Sequence, residues 1–179
     1  MPIPYRKTPR ASAAQYAAYV EVVWIPSSHT FYGAILVIDT HGQPVEFVHN
    51  TLEAPSGFLW PENQVRGVGV ASLCHSLFEA CTREPELLVC SESLGSVSYC
   101  RAEIDAVIPF AQAVDSNDGK EVAWTWINNP PLPSMPAHSL SEVLRTRGFG
   151  VEPFERIRRG LRELYPGVEW TEASSDPNQ

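Results

Sequence analysis

The sequence predicts a mixed α/β fold in which an antiparallel three-stranded meander is followed by a helix and a parallel strand, with a pair of helices near the C-terminus. Three observations predict it. Three segments rich in β-branched and aromatic residues follow one another between residues 19 and 50, joined by short connections. An apolar stripe at helical spacing comes next, and a short apolar run introduced by Pro85 follows it. A second helical stripe, bordered by arginines, lies between residues 153 and 164.

Residues 1–16 carry Arg6, Lys7 and Arg10 among prolines and small residues with no apolar period, and are expected to form a basic flexible arm. Residues 17–128 are expected to hold the α/β core. YVEVVWI, residues 19–25, reads as the first strand, with Val20, Val22 and Trp24 on one side and Glu21, near the start, on the other. Pro26 ends it. FYGAILVID, residues 31–39, is apolar on both alternating faces, the mark of an inner strand covered on two sides. Asp39, Thr40, His41 and Gly42 offer a turn, because Asp bonds its own following backbone and Gly accepts a positive φ. PVEFVHN, residues 44–50, returns as a third, partly exposed strand in which His49 has a structural role.

Pro55, Ser56, Gly57 and Pro61 make an irregular link to a helix on which Val70, Leu73, Cys74, Leu77, Phe78 and Cys81 share a face. Gly67 and Gly69 each cost that helix about 1 kcal/mol relative to Ala, so they imply either a late start or a close backbone approach. ELLVC, residues 86–90, is reached by a crossover and is therefore expected to be parallel. EVAWTWI, residues 121–127, alternates as a strand, Asn117, Asp118 and Gly119 mark a turn, and residues 107–114 supply its partner. Residues 129–138 form a Pro-rich linker. Ser139 is expected to N-cap a helix ending at Gly148, with Glu142 completing a capping box. Pro153 suits the first turn of a second helix, whose stripe is Phe154, Ile157, Leu161 and Leu164 and which Pro166 and Gly167 stop. Residues 139–168 therefore read as a helical appendage and residues 169–179 as a polar tail.

Composition narrows the function classes. A formal charge of -8 disfavours a protein that coats nucleic acid over its whole surface, while leaving room for a local basic patch. No apolar run approaches the roughly 20 residues of a membrane helix, and MPIPYRKTPRASA lacks the apolar segment of a secretory signal, so a cytoplasmic protein is expected. Cys74, Cys81, Cys90 and Cys100 are separated by six, eight and nine residues, wider than zinc-ligand pairs, and are read as reduced buried thiols with no metal. No phosphate-binding glycine loop follows a strand. SESLGSVS, with Ser91, Ser93, Ser96 and Ser98, lacks the turn of a nucleophilic serine, and His29 in PSSHTF reads as a loop residue.

The order strand, strand, strand, helix, strand over residues 19–92 resembles the first half of the RNase H-like nuclease fold, including endonuclease V and the UvrC C-terminal nuclease. The resemblance is one of topology. It implies an Asp in the middle of the first strand and further acids at the end of the fourth strand and on a neighbouring element. Clustered in that way, carboxylates hold two metal ions that clamp the attacking and leaving oxygens of a phosphodiester. Here the first strand offers Glu21, Asp39 ends the second, Glu92 ends the fourth and Glu62 stands before the helix. Relative to the family pattern the acidic site is degenerate, and Glu21 and Glu92 read as solvated charges at strand ends.

The first functional expectation is a non-catalytic accessory or scaffolding subunit of a larger, nucleic-acid-processing assembly, without a cofactor and with another protein subunit as partner. Contacts to nucleic acid or partner are expected from Arg6, Lys7 and Arg10 of the arm and from Arg156, Arg158, Arg159 and Arg162, four arginines within seven residues. Glu152, Glu155 and Glu163 interleave with these, so an ordinary salt-bridged solvent face competes with that expectation. The alternative is a metal-dependent nuclease using Glu21, Asp39 and Glu92 with Mg2+ or Mn2+. A small-molecule binding domain is the third expectation, resting on five Trp that core packing explains equally well.

Overall fold

A computed structural model describes residues 15–54, 61–94, 108–114 and 123–170. Arg6, Lys7, Arg10, the turn at residues 117–119, Ser96, Ser98, Cys100 and the tail beyond residue 170 lie outside the described residues.

Strands β1 (Tyr16–Ile25), β2 (Thr30–Asp39) and β3 (Pro44–Glu53) form the expected antiparallel meander. The first strand begins three residues earlier than its β-branched run, at Tyr16 rather than residue 19. Ala17 and Ala18 have little intrinsic strand preference, but they are held in ladders by Ile38 and Val37 on one side and by Leu87 and Leu88 on the other. A 3-10 turn, Pro26–Ser28, carries β1 into β2, and His29 closes it in the left-handed region at φ 47°. The amide of Ala54 donates to His29 O at 2.8 Å, so His29 serves as a turn residue.

Helix α1 (Glu62–Ala80) crosses over the sheet and returns the chain as β4 (Leu87–Ser91), parallel to β1 from Ala17 opposite Leu87 to Val20 opposite Cys90. β5 (Phe110–Val114) adds in parallel to β4, and β6 (Ala123–Trp126) closes antiparallel to β5. The sheet order is β3-β2-β1-β4-β5-β6, so β1 is interior and β3 and β6 are the edges.

Alternation along β1 feeds two cores. Ala18, Val20 and Val22 face α1, where Leu73 and Leu77 cover them together with Phe31 and Ile35. Gly69 permits this contact: a Cβ there would overlap the Phe31 ring, so the backbone must come close at Gly69, and the helix, which starts at Glu62, does not start late.

The opposite face is covered by helices α2 (Pro136–Thr146) and α3 (Glu152–Leu164). Leu140, Leu144, Phe154, Ile157 and Leu161 are buried there against Tyr19, Leu36 and Val89. Burial of this many apolar side chains, each worth about 1.5–3 kcal/mol, makes the pair one layer of an α/β/α sandwich rather than an appendage. Leu164, at the end of the expected stripe, is 45% exposed and belongs to neither core. The start of α2 also differs from expectation. Pro136 opens the helix after Met135, no side chain caps it, and Ser139 Oγ donates to Pro136 O inside the first turn. A proline at the first helical position loses no hydrogen bond, which lets the helix begin before the capping box and shortens the linker.

Buried Tyr19 ties the α2–α3 connection to the sheet: its hydroxyl donates to Phe149 O at 2.6 Å and its ring meets Phe154 edge-on at 5.4 Å. Burial, reinforced by the charge of Glu152, pushes the Tyr19 phenol far above its ordinary pKa. Cys74 and Cys90 are buried and Cys81 is half-buried. Among the described residues no helix is long and apolar enough to cross a membrane.

Candidate functional site

Glu21 lies in the middle of β1, paired with Ala34 of β2, and is 1% exposed. The longer strand removes it from the strand end, and α3 removes it from water, so it is not the solvated charge that its sequence position suggests. Its counter-charge comes from α3. The stripe of Phe154, Ile157 and Leu161 seats that helix on the sheet, and Arg158, next to Ile157 and one turn beyond Phe154, borders the buried stripe. From there its Nε donates to Glu21 Oε1 at 2.9 Å and its Nη2 to the same oxygen at 2.8 Å. Arg158 remains 45% exposed, so the pair joins a buried anion to a cation that still reaches solvent.

Glu92 opens a 3-10 turn directly after β4 and is exposed. Continuing the parallel register two residues past Val20 and Cys90 puts it level with Val22, at the same end of the sheet as Glu21. Asp39 stands at the other end. It pairs with Tyr16, five residues before Glu21, which is about 17 Å along the strand. Its Oδ1 accepts the amides of His41 at 2.8 Å and Gln43 at 2.9 Å, and Gly42 takes φ 74°, so Asp39 builds the β2–β3 turn anticipated from its sequence.

A two-metal centre needs carboxylates converging on shared ions. Strand length separates Asp39 from Glu21, and Arg158 holds Oε1 of Glu21. Among the described residues no three His, Cys, Asp or Glu side chains are placed to hold a metal ion. Among the described residues, Glu21 and Asp39 therefore do not converge on a shared pair of ions.

The four arginines of α3 divide. Arg156 turns inward: Nε donates to Glu152 Oε1 at 2.6 Å, Nη1 donates to Gly42 O at 2.7 Å, and its guanidinium lies 5.8 Å from the centre of the Phe149 ring. Arg158 is anchored on Glu21. Arg159 and Arg162 are exposed, and with Glu155 and Arg158 they line an open depression of about 330 Å³ on the outer side of the helix. The helical period placed all four outside the apolar stripe and Glu152 within reach of Arg156, but could not show the bonds of Arg156 to Gly42 and of Arg158 to Glu21, which lie 114 and 137 residues away. A second depression, of about 280 Å³, lies between Trp126, the prolines at 130, 131 and 133, and His138, Ser141, Glu142 and Arg145 of α2. No sequence pattern had singled it out, because its walls come from separate elements.

His49, on edge strand β3, has its Nδ1 3.0 Å from the Tyr165 hydroxyl, and the Tyr165 ring meets Tyr32 edge-on at 5.0 Å. That set pins the end of α3 against β2 and β3, in keeping with a structural His49.

No protein-family model matches the chain. No curated protein matches it in sequence. Among solved structures, endonuclease V from Bacillus subtilis is similar in fold, at 12% identity over 86% of this chain and 82% of that one, with a TM-score of 0.56. Endonuclease V from Streptomyces avermitilis aligns at 13% identity over 83% and 82%, with a TM-score of 0.48, too low to support an argument. At these identities the likeness shows the fold alone: the chain has a nuclease-like α/β topology.

Proposed function

We propose that this chain is a non-catalytic accessory or scaffolding subunit of a nucleic-acid-processing assembly, built on a nuclease-like fold whose acidic site is degenerate. The observation that carries the proposal is the pairing of Glu21 with Arg158. Glu21 occupies the middle of the first strand, where a nuclease of this topology keeps a metal-binding acid, and a protein cation engages it there. A carboxylate whose charge is already satisfied in a buried site gains little from a metal ion, whose dehydration must also be offset.

With catalysis set aside, the solvent-facing groups define what the subunit does. The exposed Arg159 and Arg162 suit contact with a phosphate backbone or with an acidic protein surface. The test has two parts. The chain is incubated with single- and double-stranded DNA and RNA in Mg2+ or Mn2+, and intact substrate is expected. Native complexes are then captured from its source, where a stable protein partner is expected. Metal-dependent cleavage abolished by Glu92→Gln would replace this proposal with that of a nuclease with an altered carboxylate site.

A further inference from the structure

We propose that the depression on α3 lined by Glu155, Arg158, Arg159 and Arg162 is a metal-independent seat for a phosphodiester, with Arg158 supplying a fixed positive charge. This rests on the non-catalytic reading of the chain and names the ligand chemistry of the same helix. The seat lies on the side of α3, whose opposite face is immobilised by fully buried Ile157 and Leu161, so the helix presents it from a rigid support.

Arg158 is pre-oriented. Nε and Nη2 are held by Glu21 Oε1, leaving the Nη1 edge of the guanidinium for a ligand. A guanidinium already held by a buried carboxylate gives up less conformational freedom on binding than a free one. Arg159 and Arg162 complete the lining. Three guanidiniums against the two carboxylates of Glu155 and Glu21 leave one net positive charge, the complement of a singly charged diester. A nuclease offsets phosphate charge with metal ions; here arginine would do so, and the group would be held without being cut.

Phosphodiesters occur in nucleic acid strands and in phospholipid headgroups, and two arms separate these sources. Binding of a fluorescein-labelled single-stranded oligonucleotide, and of vesicles containing phosphatidylglycerol, is measured in EDTA across a range of salt. Binding of the oligonucleotide is expected, weakened about tenfold by Arg159→Ala combined with Arg162→Ala and with a salt slope lower by about two. Both positions are exposed, so this variant keeps its fold, and a circular dichroism melt checks that it does. A second variant, Glu21→Leu with Arg158→Met, removes the fixed charge together with its buried partner and is also expected to bind more weakly.

Vesicle binding with the same dependence on Arg159 and Arg162 would keep the seat and assign it to lipid. Binding to neither ligand, binding unchanged in both variants, or binding that disappears in EDTA overturns the proposal. Metal-dependent cleavage of the oligonucleotide refutes the accessory-subunit reading instead, and leaves the seat to be judged by the variants.

Discussion

Arg158 donates from Nε at 2.9 Å and from Nη2 at 2.8 Å to one oxygen of Glu21, joining helix α3 to the middle of β1 across 137 residues of chain. Removing one member of such a pair strands a buried charge, whereas removing both replaces it with apolar volume. Because Arg158 is 45% exposed, solvent screens part of the loss. Arg158→Met is expected to cost about 3 kcal/mol, and Glu21→Leu with Arg158→Met to come within about 1 kcal/mol of the parent. Urea denaturation of the two single variants and the double variant measures the coupling, and simple additivity would show that the pair contributes nothing specific.

Tyr19 gives a prediction at alkaline pH. Its phenol is raised above the unfolded value of about 10 by burial and then by the charge of Glu152, so its contribution is complete below pH 10 and is lost as pH rises above it. The folded chain should show fewer ionised tyrosines than the unfolded chain above pH 10, read from tyrosinate absorbance. Tyr19→Phe should make the alkaline loss of stability shallower and, by leaving the Phe149 carbonyl without its donor, cost about 1–2 kcal/mol at neutral pH. An unchanged alkaline profile in that variant would assign the effect elsewhere.

Glu46 acts in the opposite pH range. Oε1 accepts the amide and the hydroxyl of Thr82, each at 2.9 Å, and Oε2 accepts the amide of Arg83 at 3.0 Å, tying β3 to the end of α1. These bonds, the Thr82 amide foremost, hold the carboxyl below its ordinary pKa. Its contribution is therefore present above about pH 4.3 and is lost as pH falls from there through the lowered value. Glu46→Gln should flatten acid denaturation over that interval, by less than about 1 kcal/mol given its contact with solvent. Equal acid midpoints for parent and variant would refute this.

Gly69 separates helix propensity from packing. Alanine is the better helix former by about 1 kcal/mol, yet a Cβ at Gly69 would overlap Phe31, which is fully buried with its ring centre 4.4 Å from that of Trp24. Overpacking costs about 1–3 kcal/mol, so Gly69→Ala is expected to destabilise and Gly69→Ala with Phe31→Leu to recover part of the loss. A thermal melt in which Gly69→Ala alone is more stable than the parent would mean that α1 can lift off the sheet at little cost.

Local chemistry made the meander, the crossover helix and the parallel strand legible in the sequence. The β-branched runs, the turn built by Asp39 and Gly42, and the apolar face of α1 each act within a few residues. The first turns of Ala17 and Ala18 into strand, the entry of α2 at Pro136, and the parallel addition of β5 to β4 were not legible, because ladders and packing outside those segments decide them. The candidate site divides the same way. Periodicity found the arginines of α3, but not which of them the protein uses itself.

By itself the sequence determined that this chain folds as an α/β protein with a nuclease-like strand order, since periodicity and turn residues are encoded along the chain. Only the tertiary structure decided what Glu21 is. A carboxylate read as a solvated strand-end charge becomes a buried mid-strand anion, because α2 and α3 form a layer over it and Arg158 supplies the charge that burial requires. That outcome depends on contacts across more than 100 residues, which no local pattern records.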